Sequence, residues 1–90
     1  MLTLVMAAAA NAQSPSYERV GKQIKMVSYF DGTNQIKEVG FFKDGKAHGQ
    51  WTEYDLNGQV RIEATYVDGH KEGVWFVWSE DRNTLFEVNY

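Results

Sequence analysis

A pattern with a period of 24 residues runs through the last two thirds of the chain. It consists of an aromatic residue, an Asp-Gly pair, a further glycine, a tryptophan and a last aromatic residue. The first copy is Phe42, Asp44, Gly45, Gly49, Trp51 and Tyr54; the second is Tyr66, Asp68, Gly69, Gly73, Trp75 and Trp78. A third copy starts at Tyr90. Units this small bury their apolar face only by stacking on neighbours, so the period predicts a repeat array and not a compact enzyme core.

Turn signals separate short segments that are rich in β-branched and aromatic residues. Asp-Gly or Asn-Gly pairs recur along the chain, and no stretch after Tyr17 has the apolar periodicity of an amphipathic helix. We therefore predict an all-β fold, a single elongated and twisted antiparallel meander built from stacked β-hairpins. Six strands are expected, near residues 24–30, 35–43, 48–55, 59–67, 73–79 and 84–90.

The turns also predict how the strands align. Asn57-Gly58 is typical of a two-residue type I′ turn, which pairs Leu56 with Gln59 and Trp51 with Ala64. The Asp-Gly turns are interpreted as four-residue loops at 44–47 and 68–71. Large and small side chains then alternate across the sheet, so each ring covers a small residue on the next strand. The two rows are Val27, Gly40, Trp51, Ala64, Trp75 and Val88, and Lys25, Phe42, Gly49, Tyr66, Gly73 and Tyr90.

Aromatic and cationic side chains alternate on the opposite face, in the predicted row Phe30, Lys37, Tyr54, Arg61, Trp78 and Leu85. Such a row favours cation–π contacts of about 0.5–1 kcal/mol each. The last hairpin is apolar on both faces, and its final strand is an open edge, which together indicate an interface. The candidate residues for binding a partner or ligand are Phe30, Lys37, Tyr54, Arg61, Phe76 and Trp78.

These units resemble MORN repeats, of the variant common in small exported bacterial proteins. The resemblance extends over roughly residues 24–90 and is clear from 41 to 78, with weaker units at both ends that suggest caps. It implies stacked β-hairpins and a scaffold or binding role, in some relatives a protein or lipid contact. It transfers no catalytic residue. The structural repeat positions are Phe42, Gly45, Gly49, Trp51, Gly58, Tyr66, Gly69, Gly73, Trp75 and Tyr90.

The N-terminal residues have the features of an export signal. Residues 2–10 are apolar, and Ala10-Asn11-Ala12 fits the small-x-small cleavage rule, although a basic n-region is missing. We predict a signal peptide at 1–12, cleavage near Ala12–Gln13, and export to the periplasm or beyond. A frayed apolar tail on a cytosolic protein is the alternative. Residues 13–23 are then an N-terminal segment and candidate lid on a repeat domain at 24–90.

Residue types that support catalysis or metal binding form no recognisable site. There is no cysteine, and His48 and His70 lie beside glycine and lysine at hairpin loops. A calcium-loop beginning at Glu53 fails at its twelfth position, Ala64. The formal net charge of −3, without a basic patch, disfavours nucleic acid as a partner. We therefore expect no enzyme, no catalytic residue, no cofactor and no metal.

Two classes of function follow from these observations. The first is an exported, non-enzymatic repeat module that binds a protein partner or itself through its aromatic-rich sheet. The alternative is a glycan- or lipid-headgroup-binding protein that uses the aromatic and cationic row. An antitoxin-like partner of a toxin is a further alternative, and it requires a cytoplasmic location. The identity of the partner and the oligomeric state stay open.

Overall fold

The computed structural model describes residues 14–90, so the predicted signal peptide and its cleavage site lie outside the described residues. Residues 14–90 form one antiparallel sheet with no helix, which confirms the all-β prediction. This part of the chain therefore holds no apolar helix able to cross a membrane. The strands are β1 (Ser16–Val20), β2 (Gln23–Tyr29), β3 (Ile36–Lys43), β4 (Lys46–Ala47), β5 (Gly49–Tyr54), β6 (Val60–Val67), β7 (His70–Lys71), β8 (Val74–Trp78) and β9 (Leu85–Asn89).

The sheet is a meander in a single layer. Its strand order is β1-β2-β3-β5-β6-β8-β9, and the short strands β4 and β7 extend the hairpins of β3 and β6. The Cα atoms span 40 × 32 × 16 Å. Over the described range the buried apolar side chains are Met26 and Ala64 alone. A sheet this open must therefore gain its stability from side chains that lie against the sheet itself.

The N-terminal segment adds a strand to this sheet. Residues of β1 pair with β2 from Ser16↔Val27 to Val20↔Gln23. Because these are edge-to-edge backbone pairs, the part of the candidate lid that forms β1 extends the sheet and does not cross either face. Tyr17 pairs with Met26 and is 64% exposed, so it adds an open aromatic residue at this edge.

The two Asp-Gly turns are tighter than the sequence suggested. Asp44 and Gly45 both have positive φ, of 51° and 79°, and so do Asp68 and Gly69. This is the conformation of a two-residue type I′ turn, which Asp-Gly favours. The prediction of four-residue loops is therefore wrong: β4 and β7 pair immediately after the turns, placing Phe42 opposite Ala47 and Tyr66 opposite Lys71 in place of Gly49 and Gly73.

The Asn-Gly turn is longer than the sequence suggested. Asp55 N–H donates to Gln59 O, and Gly58 N–H donates to Asp55 O. Of the loop residues 56–58, Gly58 alone has a positive φ, 81°. This matches a type I turn followed by a left-handed glycine, so the predicted type I′ turn and its Leu56–Gln59 pair are wrong. Asp55 supplies the reason, since its Oδ1 accepts bonds from Asn57 N–H and Gln59 N–H that stabilise the longer loop.

Irregularities in the strands decide which predicted pairs survive. A bulge at Glu53/Tyr54 leaves Trp51↔Ala64 and Gly49↔Tyr66 as predicted but pairs Tyr54 with Val60, not with Arg61. A bulge at Ser28/Tyr29 shifts β2, so Gly40 pairs with Met26 in place of Val27, and Phe42 with Ile24 in place of Lys25. The pair Trp75↔Val88 is confirmed. The central pairs of the row that contains Trp51 are therefore correct. In the other row Gly49↔Tyr66 is correct, but the predicted pairs of Phe42 with Gly49 and of Tyr66 with Gly73 are wrong. The N-terminal ends of both rows are off by one residue.

The repeat aromatics form a continuous ladder on one face, which we call the Trp51 face. Successive rings of Phe42, Trp51, Tyr66, Trp75 and Tyr90 have centroids 5.1–5.6 Å apart and meet edge to face or tilted. Each such pair contributes about 0.5–1.5 kcal/mol beyond burial. Lys71 Nζ caps the ladder, 5.1 Å from the Trp75 ring centroid and 5.0 Å from that of Tyr90.

Both ladder tryptophans are fixed by the same hydrogen bond. Trp51 Nε1–H donates to Phe41 O at 3.1 Å, and Trp75 Nε1–H donates to Thr65 O at 3.2 Å. The same two carbonyls also accept backbone N–H groups from the irregular segment that follows each tight turn, His48 and Glu72. The turn, the irregularity and the indole therefore form one local unit that is repeated 24 residues later.

Candidate binding surface

The second face of the sheet, which we call the Trp78 face, holds most of the candidate residues. Trp78 pairs with Leu85, and Phe76 lies between Glu63 and Glu87 on the neighbouring strands. Both rings are half-buried, although no second layer covers them. Because residues alternate between faces along β8, Phe76 and Trp78 point away from Trp75 and its ladder.

The bulges break the predicted aromatic and cationic row. Phe30 lies at the start of the first loop, where its N–H donates to Gln35 O, and Tyr29 pairs with Ile36, so Phe30 does not pair with Lys37. Lys37 is exposed. Tyr54 lines a depression of about 410 Å³ between the loop at residues 30–35 and the loop at residues 56–58, together with residues 34–36 and Gly58. The predicted row is therefore not continuous. Its C-terminal members, Trp78 and Leu85, are still paired.

The cation that contacts Trp78 is Arg82, which the sequence did not single out. The Arg82 guanidinium carbon lies 4.8 Å from the centroid of the Trp78 ring, and Nη1 donates to Val60 O. Within residues 14–90 the cation–π contacts involve Lys71 and Arg82, not Lys37 or Arg61. A signal was available in the sequence, because Arg82 stands 24 residues after Gly58 and takes the place of a turn glycine.

Arg82 has a backbone conformation that side chains other than glycine rarely adopt. Its φ is 64°, in the left-handed region, as is that of Gly58. A left-handed non-glycine residue costs about 1 kcal/mol or more and persists only where its surroundings fix it. The contacts with Trp78 and Val60 O provide that fixation for the side chain. The conformation places a guanidinium group over the end of the Trp78 face.

The loop that carries Arg82 is itself held by hydrogen bonds. Ser79 Oγ–H donates to Asp81 Oδ1 at 2.7 Å, and Asn83 N–H donates to the same oxygen at 3.0 Å. These bonds, the Ser79 hydroxyl foremost, lower the pKa of the Asp81 carboxyl below its ordinary value. Asp81 is therefore ionised at neutral pH and keeps the loop closed around residues 79–84.

Arg61 and Arg82 line one cleft of about 260 Å³ between the loop at residues 56–58 and the loop at residues 79–84. The remaining lining residues are Asp55, Leu56, Asn57, Ser79 and Glu80. In the part of the chain that the structure describes, no lysine or arginine nitrogen lies within 4.0 Å of a carboxylate oxygen, and the one close acid–base contact joins His48 to Asp68. The two guanidinium groups of the cleft are therefore without an ion-pair partner among residues 14–90.

Strand β9 forms an open edge of the sheet, with Leu85 on the Trp78 face and with Phe86, Val88 and the following Tyr90 on the Trp51 face. Among the described residues it pairs with β8 and with no other strand. Its large apolar side chains are exposed, with exposed fractions of 42% for Leu85, 52% for Phe86, 38% for Val88 and 52% for the following Tyr90. An edge with unpaired backbone groups and open apolar side chains favours the addition of another strand.

No group of three or more His, Cys, Asp or Glu side chains within residues 14–90 is placed to hold a metal ion. His48 Nδ1 accepts Asp68 N–H at 3.2 Å and lies 3.5 Å from Asp68 Oδ1, so it links the two tight hairpin ends. Gly69 N–H donates to Ala47 O in the same place. His48 therefore has a local structural contact, while His70 lies exposed in β7.

A sequence model of the MORN repeat variant matches residues 47–68. Over these residues the chain is similar to the MORN repeat variant. The matched segment runs from the end of β4 through β5 and β6 to the second tight turn, and so contains Trp51, the Asn-Gly loop and Tyr66. The resemblance is confirmed over these residues. Repeats of this family are modules that often bind proteins or membranes. No curated protein and no solved structure matches the chain.

Proposed function

We propose that this MORN-repeat chain is an exported, non-enzymatic interaction module that binds a protein partner through the Trp78 face and the adjoining edge of β9. The observation that carries the proposal is the group of exposed apolar side chains at this end of a single-layer sheet. Val74 and Leu85 extend the Trp78 face, and Phe86, Val88 and Tyr90 lie along the same edge on the Trp51 face. Monomeric soluble proteins rarely leave such surfaces contiguous and unused. Strand addition at β9 would supply backbone hydrogen bonds, and Phe76 and Trp78 would supply the aromatic anchors typical of interface centres.

The repeat itself indicates how a partner strand would fit. Strand β6 holds the same pattern as β9, with Ile62, Ala64 and Tyr66 at the positions of Phe86, Val88 and Tyr90. In β6 these residues are covered because strands flank it on both sides. A strand placed against the outer edge of β9 would cover Phe86, Val88 and Tyr90 in the same way.

A second copy of the chain is one partner with the required pattern. Antiparallel pairing of two β9 strands centred on Val88 would place Phe86 opposite Tyr90 of the other copy. It would place Glu87 opposite Asn89, so that no like charges face each other. The register shifted by one residue per strand would set Glu87 against Glu87, which is unfavourable.

The experiment measures molar mass in solution and partner capture by the purified chain, with Phe76→Ser and Trp78→Ser variants. Val20→Ser is the matched control, since Val20 is an exposed apolar residue at the opposite edge, in β1. We expect either a dimer or a captured protein, lost in both β8 variants and retained in the control. A folded monomer that captures nothing, or binding that all three variants retain, would contradict the proposal.

Export is a separate part of the proposal and has its own test. The apolar residues 2–10 and the Ala12–Gln13 junction support it. N-terminal sequencing of the protein from fractionated cells should give Gln13 as the first residue in the envelope or medium. Full-length protein confined to the cytoplasm would remove the export claim and leave the binding claim to be tested by the variants above.

A further inference from the structure

We infer that the cleft between Arg61 and Arg82 is a binding site for a carboxylate group, supplied by an acidic segment of the protein partner. The inference rests on the proposed function, because it names the chemistry of a partner docked at the Trp78 face. It begins from the two guanidinium groups that line one cleft of about 260 Å³. Neither has a carboxylate oxygen within 4.0 Å among residues 14–90.

Arg82 is held in place before any ligand arrives. Its guanidinium lies on the Trp78 ring, and one of its nitrogens, Nη1, donates to Val60 O. The planar group has five N–H donors, so several remain for a ligand. Since the side chain is already ordered by the ring and the carbonyl, little conformational entropy would be lost when a ligand binds. Arg61, on β6, faces the same space and supplies a second set of donors.

The charges around the cleft favour a singly charged carboxylate over a phosphate. Asp55 and Glu80 also line it, and Asp55 Oδ1 already accepts two backbone N–H groups of its loop. These carboxylates would repel a dianion more strongly than a monoanion. A carboxylate also matches the fork of a guanidinium group with two parallel hydrogen bonds.

The apolar neighbour of the cleft favours a peptide as the source of the carboxylate. Leu56 lines the cleft and is 61% exposed. A glutamate side chain could place its methylene groups against Leu56 while its carboxylate meets the arginines. Ligand pockets combine apolar lining with a few polar groups that fix the ligand's orientation, and a glutamate side chain offers a part that suits each.

The test is a titration of the full chain with a capped peptide, acetyl-Glu-Gly-Glu-Gly-amide, followed by NMR at the arginine Nε–H groups. The matched probe replaces both glutamates with glutamine. We expect the Arg61 and Arg82 signals to shift with the glutamate peptide and not with the glutamine peptide. Arg61→Gln should raise the Kd for the glutamate peptide about tenfold, which is the effect expected from the loss of one charge-assisted hydrogen bond. Lys25→Gln, on β2, is a control that should change nothing.

Three outcomes would overturn the inference. Equal shifts with both peptides would show that the carboxylate is not recognised. Tighter binding of inorganic phosphate than of the glutamate peptide at the same two arginines would show that the cleft does not prefer a singly charged carboxylate. Arginine-dependent binding to vesicles that contain an anionic phospholipid, with no response to the peptide, would assign the cleft to a membrane. Because capture through Phe76 and Trp78 is measured separately, a failure here leaves the proposed function to its own test.

Discussion

Strands β6 and β9 have nearly the same pattern, 24 residues apart, but they differ in their surroundings. Strand β6 lies between β5 and β8, and its Ala64 is 5% exposed beneath the ladder rings. Strand β9 has β8 on one side, and Val88, at the position of Ala64, is 38% exposed. One repeat unit therefore needs a neighbour on both sides to complete its packing. The open unit is the part of the molecule best suited to receive a partner.

The largest expected effect is the difference between Tyr66, in β6, and Tyr90, the equivalent residue just after β9. Tyr66 lies between the rings of Trp51 and Trp75, whereas Tyr90 contacts Trp75 alone among the ladder rings. Tyr66→Ala should lower the free energy of unfolding by about 2–3 kcal/mol, and Tyr90→Ala by about 1 kcal/mol. Urea denaturation followed by tryptophan fluorescence measures both. Tyr66→Phe keeps the ring and should be close to neutral; equal losses for the two alanine variants would refute the difference between interior and edge.

A smaller effect is expected where a ring lies closest to the backbone. A Cβ atom added at Gly40 would lie 2.4 Å from two carbons of the Trp51 ring. Gly40→Ala should therefore destabilise the chain by about 2 kcal/mol, as overpacking does, even though alanine occupies the equivalent position 64.

The control for Gly40→Ala is a double-mutant cycle with Trp51→Leu, measured by urea denaturation. If the indole causes the penalty, the cost of Gly40→Ala should nearly vanish in the Trp51→Leu background. A penalty of unchanged size would show that the backbone at residue 40, and not the ring, requires glycine.

The smallest effect concerns a pair of like charges on the Trp51 face. Glu38 pairs directly with Glu53, and burial first, then the Glu53 charge, raise the pKa of Glu38, with Lys37 opposing. A carboxyl whose folded pKa is raised binds more protons in the folded chain, so its contribution to stability falls as pH rises through that pKa. Because solvent screens this partly exposed pair, Glu38→Gln should stabilise the chain by only about 0.5 kcal/mol at neutral pH and have a smaller effect below pH 4.

The measurement is the thermal unfolding of Glu38→Gln, Glu87→Gln and the parent chain from neutral pH to below pH 4. Glu87 is exposed on β9 and faces Phe76, not another carboxylate, so Glu87→Gln is the control that removes a glutamate without removing a like-charge pair. Identical pH profiles for Glu38→Gln and the parent chain would contradict the assigned cause.

The sequence predicted the sheet and its central register because the repeat spacing and the size alternation point to the same pairing. Trp51↔Ala64 and Trp75↔Val88 follow from these signals even though all the interpreted turn lengths inside the repeats were wrong. The errors cancelled. Each Asp-Gly turn is two residues shorter than predicted, but the irregular segment after the turn adds two residues, so the strands beyond it pair in the predicted register. The bulge at Ser28/Tyr29 has no such compensation, and the register of β2 was missed.

The candidate surface was harder to predict, for a physical reason. Arg82 reaches Trp78 because a left-handed residue turns the loop back over the strand. Its spacing of 24 residues from Gly58 points to that backbone conformation, but neither residue type nor spacing shows where the side chain then lies. The Asp55 loop bonds similarly moved Tyr54 out of register with Arg61. Strand residues follow a period of two, whereas loop conformation depends on individual hydrogen bonds that a pattern does not specify.

The stacked hairpins depend most on one arrangement, in which the Trp51 ring lies over Gly40 and the indole N–H donates to Phe41 O. Proton NMR tests it directly, because a ring stacked on a glycine shifts that glycine's Hα signals. We expect a Gly40 Hα signal moved strongly upfield, nuclear Overhauser contacts from it to the Trp51 ring, and slow exchange of the Trp51 indole proton. Unshifted Gly40 signals together with a rapidly exchanging indole proton would contradict it.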